Sequence, residues 1–340
     1  MNIPARVQER LATAPAQRIG LDLASVYYSK PIAFGSGVLS ERLFTLLDTV
    51  YAGGLRYIDA GRSYGQTAES LTAWLEQRPD VEDLVICSKW GFAYTGAGGQ
   101  WGSTYTDGWR ATAEAAHRYI DNVTAAYRRQ IAEDRALLHG RLDLYQIDAS
   151  SLHSAALTNH RLHGQLAELA ASGVMIGLST SGPDQADIIR AALAIRVGEL
   201  PLFRSIASTY NVLETSAEPA LAEAHAAGCV VTVKDATANG RIAHTRAAAV
   251  VDQVALETGT AREAVALAAV FRHPWADLVL TNTTTASQLA MNIAAKGIRL
   301  TAAQLSRLAE ATAPPKAYWR CRTALHEYRS SRVAGSNSDA

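Results

Sequence analysis

Short apolar runs of β-type composition alternate along this 340-residue chain with longer stretches of helical periodicity, and that alternation restricts the fold more than any other feature. The runs fall at Pro31–Gly37, Leu55–Ile58, Leu84–Ser88, Leu142–Ile147, Val174–Leu178, Phe203–Ala207, Val230–Val233 and Leu278–Leu280. The first has a second reading, with "VYYSKPIAF" as a hairpin ahead of the repeating pattern. Between the runs stand "ERLFTLLDTVYAGG", "LHGQLAELAASG" and "SAEPALAEAHAAG", which end in glycine as a helix stop does. Strand and helix in regular succession imply parallel strands joined by helical crossovers. With 48% hydrophobic residues the chain can bury a large core, and no linker or fixed-period repeat divides it.

Three polar residues follow apolar runs and therefore sit where strand ends converge: Asp59 in "LRYIDAGRSYG", Tyr64 five residues later, and Lys89 closing "DLVICSKWG". A phenol with a pKa of about 10 is a weak proton donor near neutrality unless a cation stabilises its phenolate character. Lys89 supplies that charge, and Asp59 is the partner that makes a buried ammonium tolerable. Taken singly, each residue has a plainer reading: a turn or helix cap, a packed ring, a solvated amine.

The segments "YIDAGRSYGQTAESL", "VICSKWGF", "LDLYQID", "VMIGLSTSG", "STYNVLE", "VVTVKDATANGRI" and "LVLTNTTTASQLAMN" occur in an order that resembles the aldo-keto reductases. The resemblance spans roughly Ile32 to Asn292 and implies a (β/α)8 TIM barrel over residues 1–330, with a long loop after strand 3 and a C-terminal extension; the polar composition of 331–340 reads as a disordered tail. It places Asp59, Tyr64 and Lys89 at three positions of a catalytic tetrad. The fourth position, a histidine in that family, holds Asp148. An ionised carboxylate only accepts hydrogen bonds and repels a developing oxyanion, so Asp148 helps as an acid only when burial keeps it protonated. Steroid double-bond reductases of the family carry a carboxylic acid there, one methylene longer than Asp148. His153 in "DASSLHS" is an alternative replacement imidazole, read more simply as a surface-loop residue.

The resemblance also implies the cofactor, NADP. Ser179 and Thr180 match the positions that hold the nicotinamide carboxamide, and Tyr210 the position that flanks its ring. Where a glutamine is common three residues before that tyrosine, this chain has Ala207. Asn239 and Gly240 permit unusual backbone angles after the strand Val230–Val233, with Lys234 and Arg241 as positive charge near a pyrophosphate. Thr281, Thr283, Thr285, Gln288 and Asn292 match the segment for the adenosine 2'-phosphate and adenine, at a helix start whose free N–H groups suit an anion. A plain helix cap explains the same threonines without any ligand. No Lys or Arg stands between Val279 and Asn292, and Asn282 replaces the usual glycine.

Charge excludes some partners. With 32 basic and 32 acidic residues the chain has no basic footprint for nucleic acid and no electrostatic case for a membrane surface. The opening residues lack a signal-peptide pattern and no run is long enough to span a bilayer, so a cytoplasmic protein acting on a small molecule is expected, of unspecified oligomeric state. Three cysteines without ligand spacing and scattered histidines predict no metal site. The aromatic loop Trp90–Trp109 reads as a substrate lid or a structural rim, and Tyr318 and Trp319 as further substrate neighbours. The leading expectation is an NADP(H)-dependent oxidoreductase for a small carbonyl or alcohol, with Tyr64 as general acid/base. The alternatives are an enone C=C reductase using protonated Asp148, a catalytically weak nicotinamide-binding regulatory subunit, and a Schiff-base aldolase using Lys89.

Overall fold

In the computed structural model, residues 18–23, 36–61, 67–90, 113–243 and 247–324 are described. Eight parallel strands close into a barrel: β1 (Ile19–Asp22), β2 (Tyr57–Asp59), β3 (Val85–Trp90), β4 (Leu144–Ala149), β5 (Met175–Thr180), β6 (Ser205–Thr209), β7 (Val230–Lys234) and β8 (Leu278–Thr281). Each pairs with its neighbours in sequence, and β8 returns to β1 with Ile19 opposite Val279 and Leu21 opposite Thr281. The expected TIM barrel is therefore the fold observed.

One boundary is corrected. The first barrel strand is Ile19–Asp22, not Pro31–Gly37; Ser36 and Gly37 instead open helix α1 (Ser36–Ala52). The real strand is four residues long and one of its inward positions is Gly20, so it leaves little apolar signal. That glycine is required by packing: a Cβ there would lie 2.7 Å from Leu280 Cδ2 and 2.7 Å from Tyr57 Cδ1 inside the barrel.

Strand alternation separates two cores. Ile58, Ile86, Ile147, Leu178, Ile206, Val231 and Val233 face outward and pack beneath the helical ring, with Leu166 of α4 (His160–Ala171), Ile188 and Ile189 of α5 (Gln185–Leu193) and Leu221 of α6 (Glu218–Ala226). The intervening residues face inward. Tyr57, Val85, Cys87, Leu144, Met175, Leu278 and Leu280 fill the lower interior as a separate apolar cluster. Along the same inward rows, toward the strand C-termini, apolar side chains give way to Gln146, Ser205 and Thr232, and then to Asp59, Lys89, Asp148, Ser179 and Lys234. The hydroxyls of Ser205 and Thr232 and the amide of Gln146 are buried without a hydrogen-bond partner among the described residues.

Residues 315–324 form a helix docked on the loops that follow β6 and β7. Ala313 N–H donates to the Leu213 carbonyl at 2.9 Å. Tyr318 is fully buried in a third apolar cluster with Val212, Leu213 and Ile242, and its hydroxyl accepts from Asn211 Nδ2 at 3.1 Å. Among the described residues no helix is long and apolar enough to cross a membrane.

Candidate active site

The C-terminal mouth of the barrel gathers the charges that the sequence placed at separate strand ends. Asp59, the last residue of β2, is fully buried, and Lys89 on β3 is 8% exposed. Lys89 Nζ donates to Asp59 Oδ2 in an ion pair that crosses from one strand to the next. The pairing keeps an ammonium inside a barrel, where an isolated charge would be expelled or neutralised. The second carboxylate oxygen, Asp59 Oδ1, has no donor among the described residues. Tyr64 lies outside the described residues, as do residues 91–109 of the segment Trp90–Trp109, for which the sequence offers a substrate lid or a structural rim.

Asp148 stands near the end of β4, directly in register with Ser179 on β5. Burial raises the pKa of Asp148, while Lys234, Lys89 and a hydrogen bond from Ser179 all work against that rise. Lys234, the last residue of β7, turns inward and donates from Nζ to Ser179 Oγ at 2.8 Å. Its pKa is lowered to about 8, first by burial and then by the neighbouring charge of Lys89, with Asp148 and Asp235 opposing. Lys234 thus stands with Asp148 on the inward face of the barrel mouth. The reason is parity: Val230, Thr232 and Lys234 share the inward face of β7, and the barrel closes over them.

Arg241 contacts the C-terminal helix. It is 8% exposed, donates to the Tyr318 carbonyl at 3.1 Å and lies 4.5 Å over the Tyr318 ring, so it anchors the C-terminal helix. Tyr318, expected beside the substrate, is the core residue under that arginine, and burial raises its pKa to about 12. Trp90 also turns outward, edge-on to Tyr127 of α3 (Ala113–Leu137) at 6.0 Å. The left-handed backbone expected at Asn239 and Gly240 is present, with φ of 56° and 80°; Asp235 and Ala238 share it at 55° and 50°. Non-glycine residues in that region cost about 1–2 kcal/mol each, so strain is concentrated in the loop directly above Lys234.

Asp235, Thr209 and Arg322 were not singled out in the sequence. Arg322 on the C-terminal helix pairs with Asp235 Oδ2 at 2.8 Å and donates to Thr209 Oγ1 at 3.3 Å; Thr209 in turn donates to Asp235 at 2.7 Å. Burial alone would raise Asp235, but Arg322, Lys234 and Thr209 outweigh it and hold the carboxyl below its usual range. The one available signal was Asp235 itself, adjacent to Lys234 in "VKDATANG". Arg322 lies 87 residues further on, and no local pattern links the two.

Tyr210 packs edge-on against Trp275 at 5.0 Å and His273 at 5.2 Å, and its hydroxyl meets Glu218 Oε2 and His273 Nε2, each at 2.8 Å. Burial raises its pKa strongly. At the other end of the mouth, Thr281 and Thr283 share a hydrogen bond of 3.0 Å, and Asn292 donates to Thr283 at 2.9 Å. Thr285 caps helix α9 (Ala286–Ala294) by accepting from Gln288 N–H at 3.2 Å, and Gln288 folds back to accept from Thr284. The first turn of α9 remains exposed.

A family model for the aldo/keto reductase family matches residues 32–313, and the chain belongs to that family of oxidoreductases. Its fold is similar to an aldo-keto reductase from Bacillus halodurans in its holo form, at 17% identity, TM-score 0.62 and coverage of 87% of this chain and 92% of that one. It is also similar to a Pseudomonas aeruginosa protein assigned as an aldo-keto reductase, at 20% identity, TM-score 0.56 and coverage of 82% and 89%. A third similar structure is assigned as a 2,5-diketo-D-gluconic acid reductase B, at 18% identity, TM-score 0.59 and coverage of 88% and 89%. No curated protein sequence matches the chain. Members of this family use a nicotinamide cofactor, and the residues present fit one: Thr180 Oγ1, buried at the end of β5, has no partner among the described residues, and the exposed start of α9 offers N–H groups to an anion.

Proposed function

We propose that this chain is an NADP(H)-dependent oxidoreductase that moves hydride between the nicotinamide and a small carbonyl or alcohol, with Tyr64 as general acid in reduction and general base in oxidation. The reading is supported by the buried Asp59–Lys89 pair at the barrel mouth, which holds an ammonium inside the barrel. When bound, the reduced nicotinamide supplies the hydride. Lys89, kept charged by Asp59, favours phenolate character on Tyr64, so the phenol releases its proton to the substrate oxygen near neutral pH. Ser179 and Thr180 would orient the carboxamide end, and Tyr210 would back the ring. Asn239 and Gly240, with Lys234 and Arg241 nearby, would shape the surroundings of the pyrophosphate. Thr281, Thr283, Thr285, Gln288 and Asn292 would receive the adenosine end, with the start of α9 as the site for a 2'-phosphate. The near-absence of net charge suits a small neutral or mildly polar substrate in the cytoplasm.

Fluorescence titration with NADPH and NADH, followed by cofactor oxidation across aldehydes, ketones and enones, tests this reading. Tyr64→Phe should bind NADPH within about twofold of wild type and lose roughly 10²–10⁴ in kcat/KM. Full turnover by Tyr64→Phe would refute the role of the phenol. The upward push of burial on Asp148 favours a second reading, reduction of an enone C=C by a protonated Asp148. Product identity separates the two: the saturated ketone supports the second reading and the allylic alcohol the first.

A further inference from the structure

Asp148 replaces an imidazole that would donate to the substrate oxygen, and a carboxylate by itself inverts the sign of that interaction. The structure brings a cation to the same place from the far side of β6. Asp148, Ser179, Ala207 and Thr232 lie in one row of directly paired residues across β4, β5, β6 and β7, all on the inward face. Lys234 is the next inward residue on β7, and its ammonium crosses β6 diagonally to reach Ser179 Oγ at 2.8 Å. At position 207 on β6 the side chain ends at Cβ, which leaves that path clear. Ser179 passes its own hydrogen on to Asp148, giving a chain that runs Lys234 to Ser179 to Asp148.

We propose that Lys234 is a catalytic residue of this site, donating an N–H to the substrate's carbonyl oxygen in place of the missing histidine, with Asp148 and Ser179 as its positioning residues. The inference rests on the oxidoreductase reading above. An ammonium has three N–H groups, and among the described residues Ser179 takes one of them. As hydride adds to the carbonyl carbon, the C=O π pair moves onto oxygen, and Lys234 stabilises that charge while keeping its own proton. The proton that completes the alcohol comes from Tyr64. Asp148 then acts ionised, as the counter-charge that keeps Lys234 protonated, and not as an acid. The small residue at 207 and the carboxylate at 148 become two parts of one change.

The charged groups acting on Lys234 are Lys89 from β3, itself paired with Asp59 of β2, Asp148 from β4, Asp235 from its own loop and Arg322 from the C-terminal helix. Lys89 and Arg322 push it toward the neutral amine, and Asp148 and Asp235 toward the ammonium. Its positive charge, which makes that donation strong, is therefore present at low pH and lost as pH rises through about 8.

Benzoate, whose carboxylate imitates the oxyanion, tests the site without turnover. Calorimetric titration of the full chain, with and without NADP, should show Lys234→Met weakening benzoate at least tenfold and Lys234→Arg recovering affinity to within about threefold. Wild-type affinity should fall above pH 8, and Lys234→Arg should remove that fall. Ala207→Gln, which blocks the path across β6, should weaken benzoate as well. In the reductase assay Lys234→Met should lose about 10²–10³ in kcat/KM with NADPH affinity unchanged. Equal benzoate affinity in wild type and Lys234→Met overturns the proposal. If Lys234→Met does not fold, Ser179→Ala replaces it, with a several-fold loss expected and an unchanged affinity again overturning it. Failure of wild type to bind NADPH would sink the oxidoreductase reading, and the benzoate result would still decide whether Lys234 forms an oxyanion site.

Discussion

Asp59→Asn retains the shape of the carboxylate and removes its charge, so it isolates what the pair with Lys89 contributes. Asp59 is fully buried and Lys89 is 8% exposed, which puts the pair in the class where loss of one partner costs about 3–5 kcal/mol. Lys89 sits at the mouth on a flexible stem and can relax toward solvent, so the lower end, about 3 kcal/mol, is expected. Unfolding entropy of about 2.1 cal/mol/K per residue gives roughly 0.7 kcal/mol/K for a chain of this length, and the loss becomes a fall in Tm of about 4 °C. Lys89→Met added to Asp59→Asn should recover most of it, because the uncompensated charge is then gone. Urea unfolding of the four proteins of that double-mutant cycle at pH 7 measures both effects. If Asp59→Asn stays within about 1 kcal/mol of wild type, or the double variant is the least stable of the four, Asp59 is not what holds Lys89 charged in the barrel, and the tuning of Tyr64 loses its basis.

Gly20→Ala should destabilise by about 1–3 kcal/mol, since its Cβ would meet Leu280 and Tyr57 at 2.7 Å in a closed interior; urea unfolding checks this, and a neutral result would place Gly20 off the inward face. His273, buried against Tyr210 and Glu218, has its pKa lowered to about 4 by desolvation, then by Arg272. The unfolded chain therefore takes up the extra proton between pH 6.5 and 4, so the stabilisation is complete above pH 6.5 and on the order of 2–3 kcal/mol is lost through that window. His273→Gln should flatten that slope in thermal melts taken across the range. Arg322→Ala removes the principal charge that lowers Asp235 and should shift the acid loss of stability to higher pH, because the carboxylate contributes above its unfolded pKa and stops as pH falls through the folded one. An unchanged acid limb would mean that Arg322 does not hold the C-terminal helix through Asp235.

The sequence carried the barrel and most of its strands because strand and helix periods are local. Its errors at strand ends share one direction. Leu55–Ile58 stopped before Asp59, Leu84–Ser88 before Lys89, Leu142–Ile147 before Asp148 and Val230–Val233 before Lys234, yet each of those polar residues is still within its strand. Reading strands as apolar runs truncates them where barrel chemistry begins, since the final inward residues are polar for function and not for solubility. Ile19–Asp22 was missed for a related reason: its inward face carries Gly20, chosen by packing against Leu280 and Tyr57.

Local pattern in the chain suffices to put Asp59, Lys89 and Asp148 at strand ends, and so at one mouth. Which of these charges meet is settled by the closed barrel. Lys234 reaches Ser179 across an intervening strand, and Arg322 reaches Asp235 from a helix near the chain's end. Such contacts depend on how the closed sheet staggers its strands and where the C-terminal helix docks, and a side chain's partner across a barrel is set by that three-dimensional closure and not by any local period.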